Sequence, residues 1–240
     1  MNFHLTLEDM EMEAVQRKPV QADLSLEDAI RGRRSVHYFA PGAKVRDEQW
    51  AKLFELTALS PSSFNFQPWD FVVVDDQVRK EQLLPLCWGQ RQVVDCAAVV
   101  AVLGDKNPHR RDAQILQQFQ DNGYIDEQTK NAYMGAVDVV YPDEARKIEH
   151  AVGGASLAAM TFMLAAHGMG LATLPMIGFD PAGVRGLLKV PDEYIITMLI
   201  ATGISADRDL PRQQRRPHEE IVHWEIFGGS RKTVQLDLAS

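Results

Sequence analysis

The 240-residue sequence predicts a single α+β domain with an arm at each end, and three observations lead there. Segments with helical spacing of apolar residues alternate with short apolar runs along the whole chain. Two of those runs, AAVVAVL at 97–103 and YIITMLIA at 194–201, are unbroken, as befits strands covered on both faces. No repeat, low-complexity linker or shift in composition divides the chain. Residues 1–24 read as an N-terminal arm, 25–227 as the domain, and 228–240 as a C-terminal extension.

The elements follow in order. Ser25 caps a first helix through Ala29 and Ile30 that Gly32 ends. Asp47 opens a second, with Trp50, Leu53, Phe54, Thr57 and Ala58 on its apolar spacing. A strand begins at Trp69, takes in Phe71, Val72, Val73 and Val74, and stops at Asp75-Asp76. Residues 83–88 read as a helix end interrupted by Pro85. After the buried strand at 97–103, residues 109–139 form two polar helices around a turn at Asn122-Gly123. Pro142 is expected at the first position of a long helix, followed by Asp143 and Glu144, that ends near Gly168-Met169-Gly170. Between His150 and Asp180 there is no Asp, Glu, Lys or Arg. That run is long enough to span a bilayer, but its Ala, Gly and Met content with Ser156, Thr161, His167 and Thr173 reads as a helix buried on all sides. One of its neighbours would then be its own copy in a dimer. A short strand at 171–174, a helix capped by Asp180-Pro181, the strand at 194–201 and an extended piece at 233–238 complete the chain.

Composition sets limits on function. A net charge of −8 argues against nucleic acid or an anionic membrane as the main partner. Cys87 and Cys96 form no CxxC and fit a reducing compartment, and the acidic N-terminus lacks an apolar signal core. The expected location is the cytoplasm. His218 and His223 are five apart with no third ligand, so no metal site is expected. Gly168-x-Gly170 reads as a helix C-cap, Ser156 as a small packing residue, and His150, His167 and both thiols as core groups.

Two features call for a ligand. Arginine gathers in two loops of this acidic chain, IRGRRSVHYF (Arg31, Arg33, Arg34) and RDLPRQQRRP (Arg208, Arg212, Arg215, Arg216). Guanidinium forks suit a small phosphorylated ligand, while the plainer reading is loop arginines paired with surface carboxylates. The segment SPSSFNFQPWDF interleaves Ser62, Ser63, Asn65 and Gln67 with Phe64 and Phe66 between Pro61 and Pro68. These are ordinary cap and turn residues. They are also what a planar polar heterocycle needs, with rings to stack on and amides to read its edge.

Taken together and in order, RRSVHYF (33–39), SPSSFNFQPWDF (60–71), LLPLCWGQRQVVDCAAVVAVLGD (83–105), LATLPMIGFDP (171–181) and RRPHEEIVHWE (215–225) resemble the nitroreductase family of FMN-dependent NAD(P)H oxidoreductases. The resemblance covers about residues 25–227. It implies a central, mostly antiparallel sheet flanked by helices, a long buried helix at a homodimer interface, and FMN held between subunits. Arg33, Arg34 and Ser35 would meet the phosphate and ribityl chain. His37 stands where many members have Arg or Lys near the flavin pyrimidine edge. Pro61, Ser62, Ser63 and Asn65 would come from the partner subunit, with Gln67 close behind. Gln92 aligns with a position often held by Lys near flavin N1 or O2. After Pro175 and Met176, the backbone of Ile177 and Gly178 would face N5 and O4, so no side chain is assigned as catalytic. Arg215 matches a late phosphate-binding arginine, with Arg216 beside it.

The resemblance further implies ping-pong hydride transfer from NADH or NADPH through FMN to nitroaromatics, quinones or similar acceptors. Two alternatives stay open: other chemistry on the same fold (reductive dehalogenation, azoline oxidation, flavin fragmentation), with 109–139 as a substrate lid, or a non-catalytic FMN-binding module.

Overall fold

The computed structural model describes residues 24–206 and 211–230. The extended piece expected at 233–238 and all but the last residue of the N-terminal arm lie outside them. The chain divides at 210/211 into two compact units, each described by itself.

Among the described residues of the first unit eight α-helices and four strands follow one another. Helix α1 (Leu26–Gly32) and α2 (Asp47–Thr57) precede β1 (Trp69–Val74). Then come α3 (Gln77–Leu86), α4 (Gln92–Asp95) and β2 (Ala98–Asp105). The insert holds α5 (Asp112–Asp121) and α6 (Glu127–Val140), and leads to α7 (Glu144–Gly168). Strand β3 (Ala172–Met176), α8 (Pro181–Leu188) and β4 (Tyr194–Gly203) close the unit. The strands pair antiparallel throughout, in the order β1-β2-β4-β3, so the α+β expectation is borne out.

Strand β2 is buried along its whole length because helices cover both faces of the sheet. Val99, Ala101 and Leu103 join Leu174, Met176, Leu199 and Val184 on one side, while Val100 and Val102 meet Ala155, Ala159 and Phe162 of α7 on the other. That two-sided cover is why the run carries no alternation of polar residues. The alanines of α7 let its backbone come close to the sheet. A Cβ on Gly104 would lie 2.7 Å from the Ala151 carbonyl oxygen, so only glycine fits there. Phe162 is fully buried at this seam, worth about 2–3 kcal/mol of apolar burial.

Capping carries much of the local specification. The side chains of Ser25, Asp76, Asp126, Asp143 and Asp180 each accept an amide hydrogen bond at the start of a helix. Asp143 is therefore the N-cap of α7, and Pro142 stands outside the helix that it was expected to open. Pro85 lies inside α3, one residue before its end. Gly170, at φ 80°, turns the chain out of α7 and lets Leu171 N reach the Ala166 carbonyl. Strand β3 runs on through Pro175, which is tolerated because β3 is an outer strand.

Helix α7 is long and apolar enough to cross a membrane by composition, but it lies against the sheet and α2. Within a single chain it is not covered on every side. Gly153, Leu157 and Met160 form an exposed stripe on the side away from the sheet, with Leu157 50% exposed. Alanine content alone does not separate a face against a sheet from a face open to the outside.

In the second unit, residues 211–230, a short 3₁₀ turn spans His218–Glu220. Arg216 Nε pairs with Glu220 at 3.2 Å and its Nη2 donates to the Glu220 carbonyl at 2.7 Å. Arg215 donates to the Gln213 carbonyl at 2.8 Å, and among the described residues it forms no ion pair.

Candidate active site

The residues singled out in the first unit fall into two groups, one at each edge of the sheet. Strands β1 and β3 are the outer strands, three strand spacings apart, or roughly 14 Å.

The β3 edge gathers the basic segment and the Pro-Met turn. Ser35 bridges to Thr173 in parallel, and Val36 N donates to the Thr173 carbonyl at 3.1 Å. Residues 33–37 thus run alongside the strand that ends at Met176. Arg34 folds back on α1, where its Nη1 donates to the carbonyls of Arg31 at 2.7 Å and of Gly32 and Arg33 at 3.1 Å each. Arg34 Nε is buried with no hydrogen-bond partner, and so is the hydroxyl of Thr173. A buried donor of this kind is costly unless a ligand oxygen meets it. Ser35 and His37 are exposed.

The turn after β3 is fastened from α3. Asp180 N donates to the Leu86 carbonyl at 2.7 Å, and Gln90 Nε2 donates to the Gly178 carbonyl at 2.7 Å and the Cys87 carbonyl at 3.1 Å. Ile177 is left 83% exposed, and Gly178 N donates to no group among the described residues. Trp88, exposed and at φ 54°, packs on Gly178: a Cβ there would sit 3.1 Å from its ring. Sequence reading missed Gln90 and Trp88. It had singled out Gln92, which begins α4 two residues later and is partly buried. The only sequence signal was their place inside the family-like segment, since nothing in a Trp-Gly-Gln triplet announces a positive φ. Burial pushes the thiols of Cys87 and Cys96 up to about 11, so both stay protonated at neutral pH.

The β1 edge carries the serine loop. Phe64, Asn65 and Gln67 all lie in the left-handed region, at φ 51°, 55° and 49°. Each such non-glycine residue costs roughly 1–2 kcal/mol. Strain of this density persists only where surrounding contacts hold it, and it clusters at functional sites. Ser62 Oγ accepts from Gln67 N at 2.9 Å, and Gln67 Nε2 donates to the Asn65 carbonyl at 3.2 Å. Ser63 and Asn65 are exposed.

The two phenylalanines do not wait for a ligand, contrary to the stacking reading. Phe66 is fully buried with Ile115, Val137 and Tyr141 of the insert, and Phe64 stacks on Phe66 at 5.2 Å and meets the edge of Tyr133. The 109–139 segment is therefore the loop's foundation.

Beside the loop lies a cleft of about 380 Å³ lined by Ser62, Ser63, Pro68, Tyr141, His150 and, on α7, Gly153, Gly154 and Leu157, with Glu149 at its rim. A Cβ on Gly154 would collide with the Pro68 ring, so the loop's exit sits tight on α7. The rings of Tyr141 and His150 meet at a tilt, 4.8 Å apart, and burial, then the charge of Asp105, pushes the Tyr141 phenol up. The cleft opens next to the exposed stripe of α7.

Comparison with known proteins agrees with this fold. The nitroreductase family model matches residues 30–204. The chain belongs to the nitroreductase family. Its relatives include MhqN of Bacillus subtilis, named as a candidate NAD(P)H nitroreductase, at 36% identity over 81% of this chain and 96% of that protein. A solved candidate nitroreductase from Bacillus subtilis, ydfN, superposes with a TM-score of 0.77 at 36% identity, covering 82% of this chain and 97% of that one. A candidate nitroreductase from Exiguobacterium sibiricum, solved in complex with FMN, gives a TM-score of 0.77 at 26% identity, covering 86% of this chain and all of that one.

Proposed function

We propose that this nitroreductase-family protein is an FMN-dependent oxidoreductase that works as a homodimer, with NADH or NADPH as donor and nitroaromatics or quinones as acceptors. The observation that carries the cofactor is the family membership joined to the FMN-bound relative. The β3 edge supports it independently, because Arg34 Nε is a buried open donor on the segment that bridges to β3, and the exposed turn after β3 has an amide at Gly178 that donates to no group among the described residues. Both are donors, as an anionic phosphate and an electron-rich ring edge require.

When bound, FMN supplies two-electron transfer, taking hydride from the nicotinamide and passing it to the acceptor in a ping-pong cycle. The chain's own groups position that cofactor. Arg33, Arg34 and Ser35 would hold the phosphate and ribityl chain, and His37 and Gln92 would face the pyrimidine edge. The backbone after Pro175 and Met176, at Ile177 and Gly178, would meet N5 and O4, with Gln90 fixing the Gly178 peptide from behind. Arg215 and Arg216 enter as phosphate ligands through the resemblance.

Pro61, Ser62, Ser63, Asn65 and Gln67 would serve the flavin of the partner subunit. Their support is the distance across one sheet between the two groups, together with the exposed Gly153–Leu157–Met160 stripe beside the serine cleft. A second copy covering that stripe would remove apolar surface from water and bring one chain's loop to the other's flavin. The expected location is the cytoplasm, and no nucleic acid or membrane enters the proposal.

The test is an anaerobic visible spectrum of the purified protein with NADH or NADPH. The flavin bands should bleach with one or both donors and return on adding menadione or nitrofurazone. A protein that keeps its flavin oxidised under excess of both donors is a binder and not a reductase.

A further inference from the structure

The strained serine loop needs something to hold it, and the structure assigns that task to a residue outside the loop. The guanidinium Nη2 of Arg111 donates to the Phe66 carbonyl at 2.9 Å and to the Gln67 carbonyl at 3.2 Å. These carbonyls follow the loop's left-handed turn. Were Gln67 to return to the right-handed region, its peptide would rotate and carry the carbonyl off the guanidinium. Arg111 thus rewards only the strained form.

Arg111 is itself 45% exposed at its side chain and would not stay in place unaided. Asp105, at the end of β2, braces it. Its carboxylate is almost wholly buried and lies 3.8 Å from Arg111 Nη2. The same carboxylate accepts from Asn107 N at 2.8 Å and from Arg110 Nη2 at 3.2 Å, so its own position is fixed. Asp105 N donates to the Pro68 carbonyl at 3.1 Å, tying the end of β2 to the loop's exit. A buried carboxylate needs compensating positive charge, and here part of it comes from the cation that grips the loop.

We propose that Arg111 is a positioning residue for the cofactor: braced by Asp105, it holds the Phe66 and Gln67 carbonyls and so keeps Ser62, Ser63 and Asn65 in the arrangement that meets FMN. This rests on the serine loop being part of the FMN site. The 3₁₀ turn of Pro108–Arg111 that carries it also opens the insert whose rings support Phe64 and Phe66, so two independent holds on the loop come from one segment.

The experiment compares wild type with Arg111→Ala, Arg111→Lys and the control Lys52→Ala, each stripped of flavin, by FMN titration and by amide hydrogen exchange over 62–67. Arg111→Ala should raise the FMN dissociation constant about tenfold and speed exchange in the loop by a similar factor. Arg111→Lys keeps a cation that reaches a carbonyl and should return affinity to within about threefold of wild type. Lys52→Ala removes an exposed cation on α2 that pairs with Glu55, outside the clamp, and should stay within about twofold of wild type.

Unchanged exchange in Arg111→Ala overturns the clamp. Faster exchange with unchanged FMN affinity overturns the link from the clamp to the cofactor. A wild type that takes up no FMN defeats the flavin reading instead, and the exchange data still decide the clamp. Should Arg111→Ala fail to fold, Arg111→Met, which keeps the aliphatic stem and removes the donors, is read in its place: faster loop exchange with weaker FMN binding supports the clamp, and wild-type exchange and binding overturn it.

Discussion

The two edges of the sheet are built in opposite ways. At the β3 edge the backbone is mostly regular, with Ser35 bridged to Thr173, and donors are left open at Arg34 Nε and Gly178 N. At the β1 edge the backbone is strained at Phe64, Asn65 and Gln67, and part of the polar inventory holds the loop itself, as Ser62 Oγ does with Gln67 N. A regular edge can present donors directly. A strained edge must first be held in shape, here by rings from the insert and a guanidinium. The difference suggests a division of labour, with one edge gripping a ligand and the other presenting a shaped surface to it.

The comparison breaks most completely at the stripe on α7. Leu157→Glu puts a charge at the centre of the proposed subunit contact, where burying it costs several kcal/mol. Sedimentation should give a monomer, and flavin should be lost with the dimer because the two edges then no longer meet. A yellow dimer in this variant places the contact elsewhere. Next in size is Phe66→Ala, which removes a fully buried ring from under the serine loop. Urea unfolding should show a loss of about 3–5 kcal/mol. A loss below about 1 kcal/mol means the loop stands without the insert.

Arg34→Ala acts on the other edge and should leave the β1 side intact. FMN titration should show affinity falling roughly 10- to 100-fold, the weight of a hydrogen bond from a charged donor. Affinity within twofold of wild type removes Arg34 from the phosphate site. The smallest effect separates strain from side-chain chemistry. In thermal unfolding without flavin, Asn65→Gly should change stability by less than about 1 kcal/mol, since glycine takes the left-handed conformation freely. Asn65→Val, which cannot take it without clash, should lose roughly 1–2 kcal/mol. Equal losses in the two variants indicate that the positive φ at 65 is not what shapes the loop.

Much of the fold could be read from local signals. The buried runs near 97–103 and 194–201, the caps at Ser25 and Asp180, and the turn at Asn122-Gly123 are each written in a few adjacent residues. The ordered motifs carried the family as well. What could not be read depends on partners distant in sequence. Spacing along α7 does not say which apolar face meets the sheet and which is exposed. Phe64 and Phe66 look like platforms for a heterocycle until the insert, some fifty residues on, is seen beneath them. Positive φ at Phe64, Gln67 and Trp88 has no glycine to announce it. The Asp105–Arg111 brace joins a strand end to a 3₁₀ turn, and Arg111 belongs to none of the motifs.

The most direct test of the two-edged site is sedimentation of the purified protein followed at both protein and flavin absorbance. The expected result is one boundary at about twice the 26.9 kDa chain mass, carrying flavin absorbance at one FMN per chain. A boundary at the mass of a single chain that carries stoichiometric FMN contradicts it, because the β1 edge would then take no part in holding the cofactor.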